Sequence, residues 1–187
     1  MSQVSGLSLK TFPLFIKTHF GEEGFEKWKN ALSGDLKEVF DNPLIKLDDW
    51  YDFNEFFIKP MQLICDLFYE GNEKSAWEMG RFSAEYALKG VLKVFVKMGT
   101  TLFLMNRAAG IVSNYYKPMD MRVVKNGKNF AVLAIVDFPD YHILLENRIC
   151  GWIERALEIS GCRNIQIDIV KSFNHNDRSV EIKFQWE

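Results

Sequence analysis

The sequence predicts an α+β protein: an N-terminal helical layer packed on a four-stranded, mostly antiparallel sheet. Three observations carry this. Before Pro118 apolar residues recur three and four apart. After it they alternate or run continuously. An Asn126-Gly127 pair lies between the first two strand-like runs. A chain of 187 residues is of single-domain length and long enough to bury a sizeable core. It is read as one domain, 1–187, with a helical part, 1–117, and a ββαββ sheet part, 118–187.

Leu7–Phe20 reads as the first helix, with Pro13 near its first turn and Gly21 as its stop. Glu22–Leu32 reads as a second, and Asp35–Asp41 as one more helical turn ended by Asn42-Pro43. Leu44–Trp50 is a connector. Tyr51–Tyr69 carries an apolar stripe of Phe53, Phe56, Phe57, Met61, Ile64, Leu67 and Phe68, and Pro60 should kink or split it. The clearest helix is Glu73–Met98, where Gly80, Ala84 and Ala87 would admit a close neighbour. Glu85, Lys89, Lys93 and Lys97 line its other face, the pattern of a solvated surface. A further helix, capped by Thr100 or Thr101, runs to about Tyr116.

Met119–Lys125 and Lys128–Asp137 read as a hairpin around Asn126-Gly127. Phe130–Val136 is apolar at every position, which places it centrally in the sheet. Tyr141–Ser160 is an amphipathic helix with Gly161 at its C′ position. Arg163–Lys171 and Val180–Trp186 alternate and close the sheet.

Composition excludes several functions. Lys+Arg 23 against Asp+Glu 25 gives a net charge of −2, with no concentrated basic face for nucleic acid. No run is long and apolar enough to span a membrane, and Met1–Lys10 has no leader pattern. Cys65, Cys150 and Cys162 are widely spaced, so neither a disulfide framework nor a metal site is expected, and the cytoplasm is the expected compartment. Cys150 is expected as a buried, inert thiol. The three histidines, His19, His142 and His175, lie apart from one another and from the cysteines. Neither a nucleophile elbow nor a phosphate-cradling glycine loop is present. The expectation is no catalytic residue, no metal and no cofactor. The 16 Phe, 5 Trp and 6 Tyr fall mostly before Pro118, which predicts a ring-rich interior that either packs shut or encloses a ligand. Arg81, beside the small-residue stretch, either pairs with a helix carboxylate or fixes an acidic ligand head.

A resemblance extends this. AVLAIVDFPDYHILLENRICGWIERALEISGCRNIQIDIVKS, followed by a polar turn and EIKFQW, resembles the tail of the 4-vinyl-reductase-like domains and of a haem–nitric-oxide-binding-like bacterial family. Asp137, Pro139, Cys150, Gly151 and Gly161 occupy comparable places, and GNEKSAWEMGRFSAEYALKGVLKVF is similar to the group's long central helix. The resemblance covers roughly Trp50 to Trp186. It implies a helical layer on a four-stranded antiparallel sheet, often dimeric, with a small-molecule or acyl-chain cavity. Two departures are visible. No histidine lies between His19 and His142, where the haem-binding members carry a proximal one. Tyr115-Tyr116-Lys117-Pro118 stands where they carry a Tyr-x-Ser-x-Arg motif.

The expected function is therefore a non-enzymatic module that binds or senses a small apolar or acyl-like ligand. Its cavity is expected between the Glu73–Met98 helix, the Tyr51–Tyr69 helix and the sheet, lined by Phe57, Trp77, Arg81, Phe95 and Tyr115. The alternative is a ligand-free scaffold acting through a homodimer, for which the Gly80, Ala84 and Ala87 stripe would serve. A reductase-type enzyme is the third reading.

Overall fold

The computed structural model describes residues 1–41, 46, 48–89, 101–136, 138–175, 177 and 179–187. The sheet part follows its apolar period closely. Strands β4 (Asp120–Gly127), β5 (Phe130–Val136), β6 (Gln166–Lys171) and β7 (Val180–Gln185) form an antiparallel sheet in the order β4-β5-β7-β6. The continuous apolar run of β5 is central, as its composition requires. Both edge strands carry a bulge. Val124 is the extra residue between Val123 and Lys125 on β4, and Val170 is the extra residue between Ile169 and Lys171 on β6.

The hairpin forms, but its turn lies at Lys128-Asn129, with Gly127 paired to Phe130. Gly127 has no positive φ. A Cβ there would stand 2.4 Å from the Phe130 ring, so this glycine serves the cross-strand contact rather than the turn.

Helix α7 (Ile143–Ser160) backs the sheet and ends on Gly161 at φ 100°. Its first half is buried on all sides, because helix α5 (Ser75–Leu88) lies on its other face. The two helices cross so closely that a Cβ on Gly80 would stand 2.1 Å from the Arg148 carbonyl oxygen. One on Gly151 would stand 2.0 Å from that of Trp77. The Gly80 stripe thus meets a helix of the same chain. The part of the expected Glu73–Met98 helix beyond Lys89, with Phe95, lies outside the described residues.

His142 caps α7, its Nδ1 accepting from the Leu144 amide at 3.2 Å. Burial holds this imidazole below its ordinary 6.5, against the pull of Glu73. The unfolded chain takes up the proton as pH falls through 6.5, while the folded imidazole stays neutral. The cap's contribution is therefore present above that pH and is lost as pH falls toward the lower folded value. His142→Asn keeps a capping acceptor and removes the proton. Its urea-unfolding free energy should stay level between about pH 7 and 5.5 while the unsubstituted protein loses stability. Parallel pH profiles would show that His142 is not the group responsible. The same end of α7 is tied down by Glu146, a buried carboxylate that accepts from Tyr141 Oη at 2.6 Å and Ser172 Oγ at 2.7 Å.

The helical part contains α1 (Gly6–Leu9), α2 (Thr11–Ala31), α3 (Asp35–Asp41), α4 (Lys59–Phe68), α5 and α6 (Thr101–Ser113). Helix α2 bends at Gly21, φ 70°, where the sequence predicts a stop. The expected Tyr51–Tyr69 helix is instead three pieces: strand β2 (Trp50–Asp52), a π-helical turn (Asn54–Ile58) and α4, with Pro60 in the first turn of α4. A small sheet not foreseen in the helical part joins β2 to β1 (Gln3–Ser5) and β1 to β3 (Tyr116–Lys117). Strands of two or three residues are too short to show a period. This sheet positions the site: pairing Val4 with Tyr116 brings Ser8, one turn later, against the start of the sheet part.

Candidate functional site

Arg148 organises the interior. It sits on the apolar stripe of α7 with Leu145, Ile149 and Trp152, and only 3% of it is exposed. Its guanidinium donates to Thr11 Oγ1 at 2.5 Å, lies beside the Tyr116 hydroxyl, and stands over the rings of Phe12 and Phe57 at 4.8 and 5.0 Å. Ser8 stands beside that hydroxyl too, and Thr11 donates to the Ser8 carbonyl at 2.7 Å. Burial pushes the guanidinium below its ordinary value, and Tyr116 offsets part of this. Among the described residues, no carboxylate pairs with Arg148. Burial raises the Tyr116 phenol, and Arg148 and Ser8 bring it part of the way back.

A cavity of about 270 Å³ opens beside this cluster. Ser8, Thr11, Ser83, Tyr116 and Arg148 form its polar corner. Leu7, Ala87, Val112, Ile149 and Trp152 form the apolar wall, with the rings of Tyr86 and Tyr115. Leu7 and Tyr86 line it and are also exposed, at 38% and 39%, so they form its mouth. The space exceeds the roughly 150 Å³ that holds benzene, and falls just under the ~300 Å³ low end for drug-sized ligands.

Of the five residues expected from sequence, Tyr115 lines this cavity. Burial raises its phenol, helped by Tyr116. Phe57 stands one layer deeper, under Arg148 and stacked on Phe53 at 5.3 Å. Trp77 and Arg81 are on the α5–α7 seam instead. Trp77 Nε1 donates to Glu154 at 2.8 Å. Arg81 binds Glu158 through both terminal nitrogens at 3.0 and 2.9 Å, and also Glu154. That is the ion-pair role of the two weighed for Arg81. Burial works to raise the Glu158 carboxyl, yet Arg81 and Arg155 hold it below its ordinary value. Phe95 is outside the described residues. The cavity's lining comes from α1, α2, α5, residues 112–116 and α7, so the expected walls from Tyr51–Tyr69 and the sheet are absent from it. Cys150 is fully buried, and burial drives its thiol well up, followed by the nearby Glu146 and Glu154 charges. Among the described residues no three His, Cys, Asp or Glu side chains are grouped so that they could hold a metal ion.

Sequence reasoning misses Arg148. Its signal is a charged residue three positions from Leu145 and four from Trp152, where the stripe predicts an apolar one.

These features define an α+β protein with a part-polar internal cavity between its helical layer and the helix that backs its sheet. That architecture is the fold of the H-NOX (haem–nitric-oxide-binding) domains. The chain superposes on the H-NOX protein of S. oneidensis in its Fe(II)NO ligation state with a TM-score of 0.74 and 13% identity, over 98% of this chain and 99% of that one. The Fe(II) unliganded K. algicida H-NOX protein gives 0.70 and 10%, over 98% and 96%. A point mutant of T. tengcongensis H-NOX gives 0.67 and 13%, over 98% and 97%. At these identities the likeness is one of fold. No family model matches the chain, and no curated protein sequence does.

A haem would need an axial imidazole, thiolate, thioether or phenolate. The described lining offers none of the first three. Of its phenols, Tyr116 is engaged by Ser8 and Arg148 and, like Tyr115, is held protonated by burial. The rings of Phe12 and Phe57 fill the space next to Arg148, and Phe53 and Phe138 pack behind Phe57. These residues do not fit a ligated haem.

Proposed function

We propose that the chain is a non-enzymatic module that binds or senses a small apolar or acyl-like molecule in the cavity between α1, α2, α5 and α7. One observation carries the reading: an internal space of about 270 Å³ with a mainly apolar wall and a mouth at Leu7 and Tyr86. A close-packed interior has few voids larger than water, so an apolar space of this size is where a guest gains most from leaving solvent. The homodimer reading loses its sequence warrant, because Gly80 and Ala84 are buried and Gly80 is seated on α7. No helix among the described residues is long and apolar enough to cross a membrane. The three free cysteines support a cytoplasmic setting.

Xenon tests this directly, since it enters dry apolar cavities. Methyl resonances of Leu7, Val112 and Ile149 should shift on xenon pressurisation, with those of β7 unmoved. Native mass spectrometry should show a retained or titratable adduct above 21.8 kDa. No shift and no adduct would remove the reading.

A further inference from the structure

We infer that the ligand is a small amphipathic monocarboxylate whose head is held by Arg148; this rests on the cavity being a binding site. Arg148 is buried, borders the cavity, and has no carboxylate partner among the described residues. Its present neighbours, Thr11 Oγ1, the Tyr116 hydroxyl and two ring faces, are neutral. A charge removed from water is normally compensated by an opposite one, and the space that Arg148 borders is the cavity.

The donor set selects the anion. A guanidinium presents a planar fork that matches a carboxylate through two parallel bonds. Ser8 brings a hydroxyl to the same corner of the cavity, while Thr11 Oγ1 accepts from Arg148 and gives its proton to the Ser8 carbonyl. One cation among the lining residues balances one negative charge. A phosphate at neutral pH would leave surplus negative charge in an otherwise uncharged chamber. The apolar part of the lining, with Leu7, Val112, Ile149 and Trp152, gives the tail a surface to pack on.

Calorimetric titration of the full chain with octanoate, 1-octanol and inorganic phosphate at pH 7.5 tests this without altering the protein. Octanoate is expected to bind about tenfold or more tighter than octanol, the difference a charge-assisted bond supplies, and phosphate is expected not to compete. Arg148→Met should abolish the preference while still binding octanol, and Arg148→Lys should keep part of it, because charge remains and the fork does not. Equal affinity for acid and alcohol would overturn the carboxylate assignment and leave the cavity reading standing. Phosphate binding in preference to octanoate would also overturn it. Failure of both octanoate and octanol to bind, with no response to xenon, would remove the cavity reading as well.

Discussion

Gly80→Ala is expected to destabilise the fold by about 3 kcal/mol or more, and Gly151→Ala by a similar amount. The added methyl at position 80 would meet the Arg148 carbonyl oxygen at 2.1 Å and the Trp152 amide nitrogen at 2.9 Å. At position 151 it would meet the Trp77 carbonyl oxygen at 2.0 Å. All of these are backbone atoms of a helix, so no rotamer change relieves the contact and the two helices must separate. Separation loosens the seam held by Trp77, Arg81, Glu154 and Glu158 and shifts Arg148 against its hydroxyl partners. Thermal melting should register a fall on the order of 10 °C for a domain of this size. Once parted, the helices accept the second methyl at little cost, so the double variant should fall well short of additivity. Gly110→Ala is the control. It adds a Cβ with nothing within 4 Å inside α6, and should stabilise by about 0.5–1 kcal/mol. If both single variants at the seam melt within roughly 2 °C of the unsubstituted protein, the close crossing is wrong.

Trp28→Ala should cost about 3–5 kcal/mol. This indole is completely buried where α2, α3 and α4 meet. It sets its ring against Phe40 at 5.0 Å and Phe25 at 6.1 Å, and its Nε1 donates to the Pro60 carbonyl at 3.1 Å. Two losses are therefore combined, and a second variant separates them. Trp28→Phe retains most of the packed area but leaves the Pro60 carbonyl without its donor, for which about 1–2 kcal/mol is expected. Urea unfolding with an unchanged denaturant slope measures both. Near-equal values for the two variants would show that the hydrogen bond, not the ring, dominates.

The part of the fold legible in the sequence is the part whose signals are local and periodic. Alternation in Val180–Trp186, the unbroken apolar run of Phe130–Val136 and the Gly161 terminus each report a conformation the chain adopts for its own reasons. What stays hidden depends on partners distant in sequence. Gln3–Ser5 and Tyr116–Lys117 become strands only because they find each other across the length of the helical part. Asn126-Gly127 misplaces the turn because Gly127 answers to the Phe130 ring opposite it. The site divides in the same way. Tyr115 is placed by its position at the junction of the two halves. Trp77 and Arg81 are drawn away by carboxylates on α7 that periodicity alone does not match to them. Arg148 escapes notice because an apolar stripe reads as apolar throughout.

The paired bulges bear on how the protein behaves in crowded solution. Val124 and Val170, 50% and 54% exposed, are the two extra residues that interrupt the outer rails of the sheet, one on each side. An uninterrupted rail recruits strands from neighbouring molecules, whereas a kinked one presents its free amides out of step. The bulges at these two valines therefore disfavour pairing of either edge of the four-stranded sheet with a strand of a neighbouring molecule.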